Sequence, residues 1–228
     1  MTTPRTPNCD FCNEFSGDAQ NAFDRIYHRD PGSRVLLRSD DFALVPSLGQ
    51  IAEGHLLLLP IRHSTAIGDL TDGLLEEFTR LSGAVLRILR REYGPCIAFE
   101  HGVRSGGAGG CGISHAHLHA VPLPSSLDPI GSLKAKFLHQ RMRDLSDLGK
   151  QSKGMAAYLF YADSRSRAYL FDTPTLESQY MRKALAANLG VHDWDWRTAG
   201  REGRLLATLN RLSRRFDKLR FSATTHYR

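Results

Sequence analysis

The chain has 228 residues, 41% hydrophobic and 24% charged, which is enough for a sizeable core and suits one domain with an extension. No apolar run is long enough to span a bilayer, and the start, Met1-Thr-Thr-Pro-Arg-Thr-Pro-Asn8, lacks the apolar stretch of a secretory signal, so a cytoplasmic protein without a membrane partner is expected. The net charge of +6 is carried by residues 201–228, where eight Lys/Arg meet two Asp/Glu. A solvated helix face is the plainer account of that run; contact with nucleic acid stays open but is not favoured.

In chain order, the first thirty or so residues read as polar and close at the turn Asp30-Pro-Gly32. Val35-Leu-Leu37, Phe42-Ala-Leu-Val45 and His55-Leu-Leu-Leu-Leu-Pro60 predict three short strands, with turns at Ser39-Asp-Asp41 and Ser47-Leu-Gly49. Thr71-Asp72 can cap a helix whose apolar positions (Leu74, Leu75, Phe78, Leu81, Val85, Leu86, Leu89) follow helical spacing up to Gly94-Pro95. Cys96–Phe99 predicts a fourth strand and His115–Val121 a fifth, joined by a glycine-rich loop. Residues 130–148 predict a helix, and Tyr158–Tyr161 with Ala168–Phe171 a hairpin turned at Ser164-Arg-Ser166. Helices over 177–189, stopped by Gly190, and along the stripe Leu205, Leu206, Leu209, Leu212, Phe216 complete the pattern. The expected class is α+β with a mostly antiparallel sheet of about five strands, flanking helices and a C-terminal hairpin-and-helix extension. The division expected is a core over 1–125 and an extension over 126–228.

The densest chemistry lies in Ser114-His-Ala-His-Leu-His-Ala-Val-Pro122. Alternate residues of a strand share a face, so His115, His117 and His119 are expected in a row at about 7 Å spacing. Such a row suits a metal ligand, a nucleophile or both. Four cysteines do not make a disulfide scaffold in a chain of this length, and Cys9 and Cys12 form a C-x-x-C pair that points to metal or redox chemistry.

The run His115-Ala-His117-Leu-His119-Ala-Val resembles the signature of the histidine-triad superfamily of nucleotide hydrolases and transferases. Gly54-His-Leu-Leu-Leu-Leu-Pro-Ile-Arg-His63 resembles that family's strand ending in Pro-x-x-His, and Asn8-Cys-Asp-Phe-Cys12 resembles the knuckle of its zinc-containing members. The resemblance implies that His117 attacks the α-phosphorus of a nucleotide to form a nucleotidyl-histidine. It implies that His119 shares in binding the phosphate or protonating the leaving group. It also implies a structural zinc held by Cys9, Cys12, His63 and His115, and a homodimer. Asp41 lies where the family places a polar residue near the ribose. Ser114, Gly110 and Cys111 fall in the phosphate-binding approach to the triad. There, Gly110-Cys-Gly-Ile-Ser-His115 departs from the usual Gly-Gln-Ser/Thr-x-x-His and resembles the galactose-1-phosphate uridylyltransferase branch, in which His101 of Phe99-Glu-His-Gly102 would take a phosphate contact. Farther on, Gln179-Tyr-Met-Arg-Lys183 and Trp194-Asp-Trp-Arg197 resemble the C-terminal segment of longer proteins related to the splicing factor Cwf19. In that reading Gln179, Arg182 or Lys183 reaches a phosphate, and the aromatics pack on the core.

The leading expectation is a nucleotidyl hydrolase or transferase. Phosphorolysis or transfer to a sugar phosphate is the alternative within the class. A non-catalytic zinc-bearing nucleotide or RNA binder is the alternative outside it.

Overall fold

Residues 9–18, 20–104 and 112–217 are described by a computed structural model of the chain. Eight strands form one antiparallel sheet: β1 (Leu37–Arg38), β2 (Phe42–Pro46), β3 (Leu56–Pro60), β4 (Cys96–Val103), β5 (Leu118–Pro122), β6 (His139–Met142), β7 (Ala157–Ala162) and β8 (Ala168–Asp172). Their spatial order is β1-β2-β3-β5-β4-β7-β8-β6. Among the described residues, seven helices accompany them: α1 (Asp10–Phe15), α2 (Ala22–Tyr27), α3 (Asp72–Tyr93), α4 (Ile130–Lys136), α5 (Leu148–Gln151), α6 (Tyr180–Asn188) and α7 (Glu202–Leu212).

The central strands are buried along their whole length, which explains why Phe42-Ala-Leu-Val-Pro46 and Leu56-Leu-Leu-Leu-Pro60 are continuous apolar runs rather than alternating ones. One face takes α3, whose Leu75, Phe78, Val85 and Leu89 pack against Leu44, Leu58, Ala98 and Ala120. The 22-residue α3 ends at Gly94, which holds φ at 90°, open to glycine and strained for other residues. Each fully buried Leu or Phe in this layer contributes roughly 1.5–3 kcal/mol. The opposite face takes α6, with Met181 and Leu185 on Ile97, Phe99, Leu159 and Tyr161, and also α1. His119 is the register partner of both Leu57 and Phe99, so its side chain shares this second face.

The α+β class and the antiparallel sheet are as expected, but the sheet has eight strands where about five were expected. Strands β7, β8 and β6 come from residues beyond 126 and continue the same sheet past β4. The expected helix over 130–148 is three elements: α4, the edge strand β6, and a 3-10 turn (Leu145–Asp147) leading into α5. Only Met142 of β6 is buried, so no alternation of apolar and polar residues marked the strand; pairing to β8 makes it one. The polar start contains α1 and α2, the second capped by the Asn21 side chain accepting from the Asp24 amide. The triad is not wholly on a strand. His115 and His117 precede β5, and only His119 lies within it.

Gly102 faces Tyr158 across β4 and β7, and a Cβ there would overlap the tyrosine ring. Gly102→Ala is expected to destabilise the fold by about 1–3 kcal/mol, read as a lowered midpoint in urea, because the ring has no room to move.

Beside it Glu100 is fully buried, with its Oε1 accepting from the Ile67 amide at 2.7 Å. Burial pushes its carboxyl up to about 7, partly offset by that amide. The folded state therefore holds the proton more tightly than the unfolded chain, whose carboxyl titrates near 4.5. Wild type is expected to lose stability relative to Glu100→Gln as pH rises from about 4.5 to about 7, with no further change above. Parallel urea titrations of the two proteins across that range test this, and a pH-independent difference would contradict it.

Candidate active site and metal centre

Helix α1 brings the C-x-x-C pair to the segment that enters β5. The Cys9 and Cys12 sulfurs and one ring nitrogen each of His63 and His115 all lie within 4.8 Å of one another. Cys9 Sγ is 3.3 Å from His115 Nδ1, Cys12 Sγ is 3.5 Å from His63 Nδ1, and Cys12 Sγ is 3.8 Å from His115 Nδ1. A tetrahedral zinc with sulfur at about 2.3 Å and nitrogen at about 2.0–2.1 Å requires sulfur–nitrogen edges of about 3.6 Å. The donor set and its spacing fit a metal ion and are compatible with zinc. The other ring nitrogen of His115 donates to the Pro60 carbonyl at 2.8 Å, which orients Nδ1 toward the cluster. Burial pushes the Cys9 thiol up to about 12 and the His115 imidazolium down to about 4; a bound cation would stabilise the thiolate.

His117 sits two residues on. Its Nδ1 is 2.5 Å from the His115 carbonyl oxygen, which can only accept, so Nδ1 carries the proton and Nε2 carries the lone pair. Burial lowers the His117 pKa to about 4, partly offset by that carbonyl, and the Arg182 charge acts in the same direction as burial. The ring is therefore neutral near pH 7. His119 is stacked on Phe99 with ring centres 4.3 Å apart, and its Nδ1 is 2.9 Å from His55 Nε2. Burial holds both of these imidazoles well below their usual range, and it lowers His101 to about 3. Neutral imidazoles in a buried cluster can act as nucleophiles, as hydrogen-bonding groups toward an anion, or as proton carriers.

His117 and His119 line a cavity enclosing about 400 Å³, its open mouth included. Phe11, Leu48, Leu57, Ile113 and Trp196 make its apolar wall, and Glu14, Arg34, Ser47 and Arg182 its polar one. Arg34 forms a two-pronged pair with Glu14 at 2.7 and 2.6 Å, both side chains buried. That pair ties α1 to the end of β2, because Arg34 also donates to the Pro46 carbonyl.

The histidines of the triad thus divide between two sites: His115 joins Cys9, Cys12 and His63, while His117 and His119 face the cavity. His101 is buried on β4, with its ring 5.8 Å from that of Phe99. Asp41 lies in the turn before β2 and Ser114 is exposed ahead of the triad; neither lines the cavity. Gly110 and Cys111 lie outside the described residues. Sequence reasoning missed Ser47, Glu14, Arg34 and Trp196 as cavity residues. The one available signal was Ser47 directly after the apolar run of β2, where a strand end commonly opens onto a site.

No family model matches the chain. Human CWF19-like protein 1 is 26% identical over 163 residues, covering 65% of this chain, and the chain spans 29% of that protein's length. Protein hit of Bacillus subtilis is 26% identical over 126 residues, covering 55% of this chain and 78% of that one. A solved HIT-family protein from Bacillus subtilis aligns with a TM-score of 0.39 at 22% identity, covering 50% of this chain and 72% of that chain. The chain is similar to histidine-triad (HIT) proteins. Among the described residues, no helix is long and apolar enough to cross a membrane.

Purified protein is expected to carry about one zinc per chain by elemental analysis, and Cys12→Ser to retain less than about half of that, with a lowered thermal midpoint. A folded wild-type preparation that neither contains metal nor gains thermal stability on adding zinc would contradict the site.

Proposed function

We propose that the chain is a histidine-triad nucleotidyl hydrolase or transferase that works through a covalent intermediate on His117. The observation that carries this reading is the His117 Nδ1–H donated to the His115 carbonyl, which leaves the Nε2 lone pair on a neutral ring at the cavity wall. The cavity pairs an apolar wall suited to a base with a polar wall suited to a phosphate. Similarity to Protein hit supports the same reading.

In this mechanism His117 Nε2 attacks the α-phosphorus. A P–N bond forms as the bond to the leaving group breaks, and the leaving group departs with the electron pair and takes up a proton. Water or another acceptor then attacks the phosphorus from the open side, releases the nucleotidyl group and restores the imidazole. His119, held by Phe99 and His55, is assigned to a phosphate oxygen or to the proton of the leaving group. The resemblance assigns His101, Ser114, Gly110 and Cys111 to the phosphate and Asp41 to the ribose, although Asp41, His101 and Ser114 do not line the cavity beside His117. Zinc on Cys9, Cys12, His63 and His115 is structural: it would hold α1 against the triad and fix the position of the His115 carbonyl. A homodimer is part of the same reading. The CWF19-like similarity and the basic end of the chain favour a second one, a nucleotide or RNA binder without turnover.

The test is a panel of α-labelled dinucleoside polyphosphates, nucleoside phosphoramidates and nucleotide sugars. Wild type is expected to take up an acid-labile label that His117→Ala does not, and the variant to lose turnover by at least about a thousandfold while keeping its zinc and its thermal midpoint. Running the reaction with and without inorganic phosphate separates hydrolysis from phosphorolysis. No label and no turnover on any member, together with tight RNA binding, would replace the enzyme with the binder.

A further inference from the structure

We propose that the free edge of β6 docks an extended acidic peptide segment of a partner protein, which joins the eight-stranded sheet as a further strand.

Among the described residues β6 ends the sheet, with β8 as its one neighbour in the strand order. The Asp172 amide donates to the Leu138 carbonyl at 3.1 Å, so Leu138 and Asp172 form a hydrogen-bonded pair of the antiparallel ladder. Counting by two from that pair, Gln140 and Met142 turn their backbone groups toward β8, and His139 and Arg141 turn theirs outward. His139, Gln140 and Arg141 are exposed, and Leu138 just before them is 82% exposed. The outward amides and carbonyls are open to a strand laid alongside.

The charge of this edge selects the occupant. Residues 130–143, from α4 through β6, hold Lys134, Lys136, Arg141 and Arg143 and no Asp or Glu. Arg143 is met by Asp147 at 3.2 Å. The other three stand over aromatic rings: Lys134 and Arg141 at 4.1 and 5.9 Å from the centre of Tyr169, and Lys136 at 4.5 Å from that of Tyr180. His139 and Arg141 are the register partners of Phe171 and Tyr169, so their side chains rise on the second face, where Lys134 joins them. The nearby exposed acid, Asp172, pairs in register with Tyr158 and stands on the opposite face. An added strand would set every second side chain against this row of cations, and Glu or Asp at those positions matches it.

The same row disfavours other occupants. Two copies of β6 side by side would oppose like charges. Tyr169 and Phe171 are buried beneath the cations, which leaves no open ring face there on which a nucleic-acid base could stack. Charges on an edge strand also guard it against chance pairing. Charges of one sign on one face repel a second copy and still admit an acidic strand.

The experiment measures binding of a labelled peptide of alternating Glu and Thr, about eight residues long to cover β6 and its flanks, to the full-length protein by fluorescence anisotropy. Wild type is expected to bind it at least about tenfold tighter than the same peptide with Lys in place of Glu, and at least about tenfold tighter than a backbone N-methylated form, which keeps the charge and loses the ladder donors. Arg141→Glu should weaken binding by at least about tenfold at an unchanged thermal midpoint. His139→Pro, which removes an outward amide and keeps every Lys and Arg, should do the same; the N-methylated peptide carries that test should the proline variant fail to fold. Equal binding of the N-methylated and parent peptides would reduce the edge to a basic patch and overturn the proposal. So would tighter binding of a uridine oligonucleotide of the same length, or a dimer in solution that His139→Pro dissociates. No binding of the acidic peptide would leave β6 as a guarded edge and overturn it as well.

Discussion

One residue, His115, joins the two halves of the site. Its side-chain nitrogens reach the cysteine pair on one side and the Pro60 carbonyl on the other, while its own carbonyl takes the His117 Nδ1 proton. The tautomer of the candidate nucleophile is thus set by backbone, and that stretch of backbone is set by a cluster that recruits the N-terminal helix and the end of β3. If the His115 ring let go, the carbonyl would be free to turn, and the neutral His117 would lose the constraint that keeps its lone pair on Nε2. Such coupling explains why a knuckle more than a hundred residues earlier in sequence lies against the triad.

Burial has a comparable effect on the chemistry. Each pKa unit corresponds to about 1.4 kcal/mol between protonation states. His117 moves from an ordinary 6.5 to about 4, and most of that comes from removing water from the ring. An imidazolium has no lone pair with which to attack phosphorus, so burial on the second face of the sheet keeps His117 in the form that the proposed displacement requires. Arg182 acts in the same direction, because a fixed cation opposes a second positive charge on His55, His117 and His119.

The parts of the site legible in the sequence were those whose residues carry their signal locally. Cys9 and Cys12, the Pro60-x-x-His63 step and the H-x-H-x-H run are short patterns, and the four residues Cys9, Cys12, His63 and His115 converge as the family resemblance implied. The strands β2, β3, β7 and β8 were legible because their apolar runs are bounded by turn residues. What stayed hidden depends on partners remote in sequence. Strand β6 exists because β8 offers it an edge. The exchange of His115 out of the strand face follows from its ring being pulled toward Cys9, which periodicity cannot register. Ser47, Glu14, Arg34 and Trp196 enter the cavity wall only once α1, the end of β2 and the segment after α6 have met.

The eight-stranded sheet also accounts for how the site is closed. With β7 and β8 paired beyond β4, the second face extends far enough to seat α6 through Met181 and Leu185. That seat brings the segment after α6 back over the turn at Gly49, where a Cβ would meet the Trp196 backbone at 2.9 Å. Gly49, at φ 51°, is therefore needed both for its turn and for this close approach. The residues beyond 126 thus build a wall of the cavity as well as lengthening the sheet. One wall of the site comes from the N-terminal helix and one from the C-terminal half, with the triad between them, so the geometry at His117 depends on both ends of the chain being folded at once.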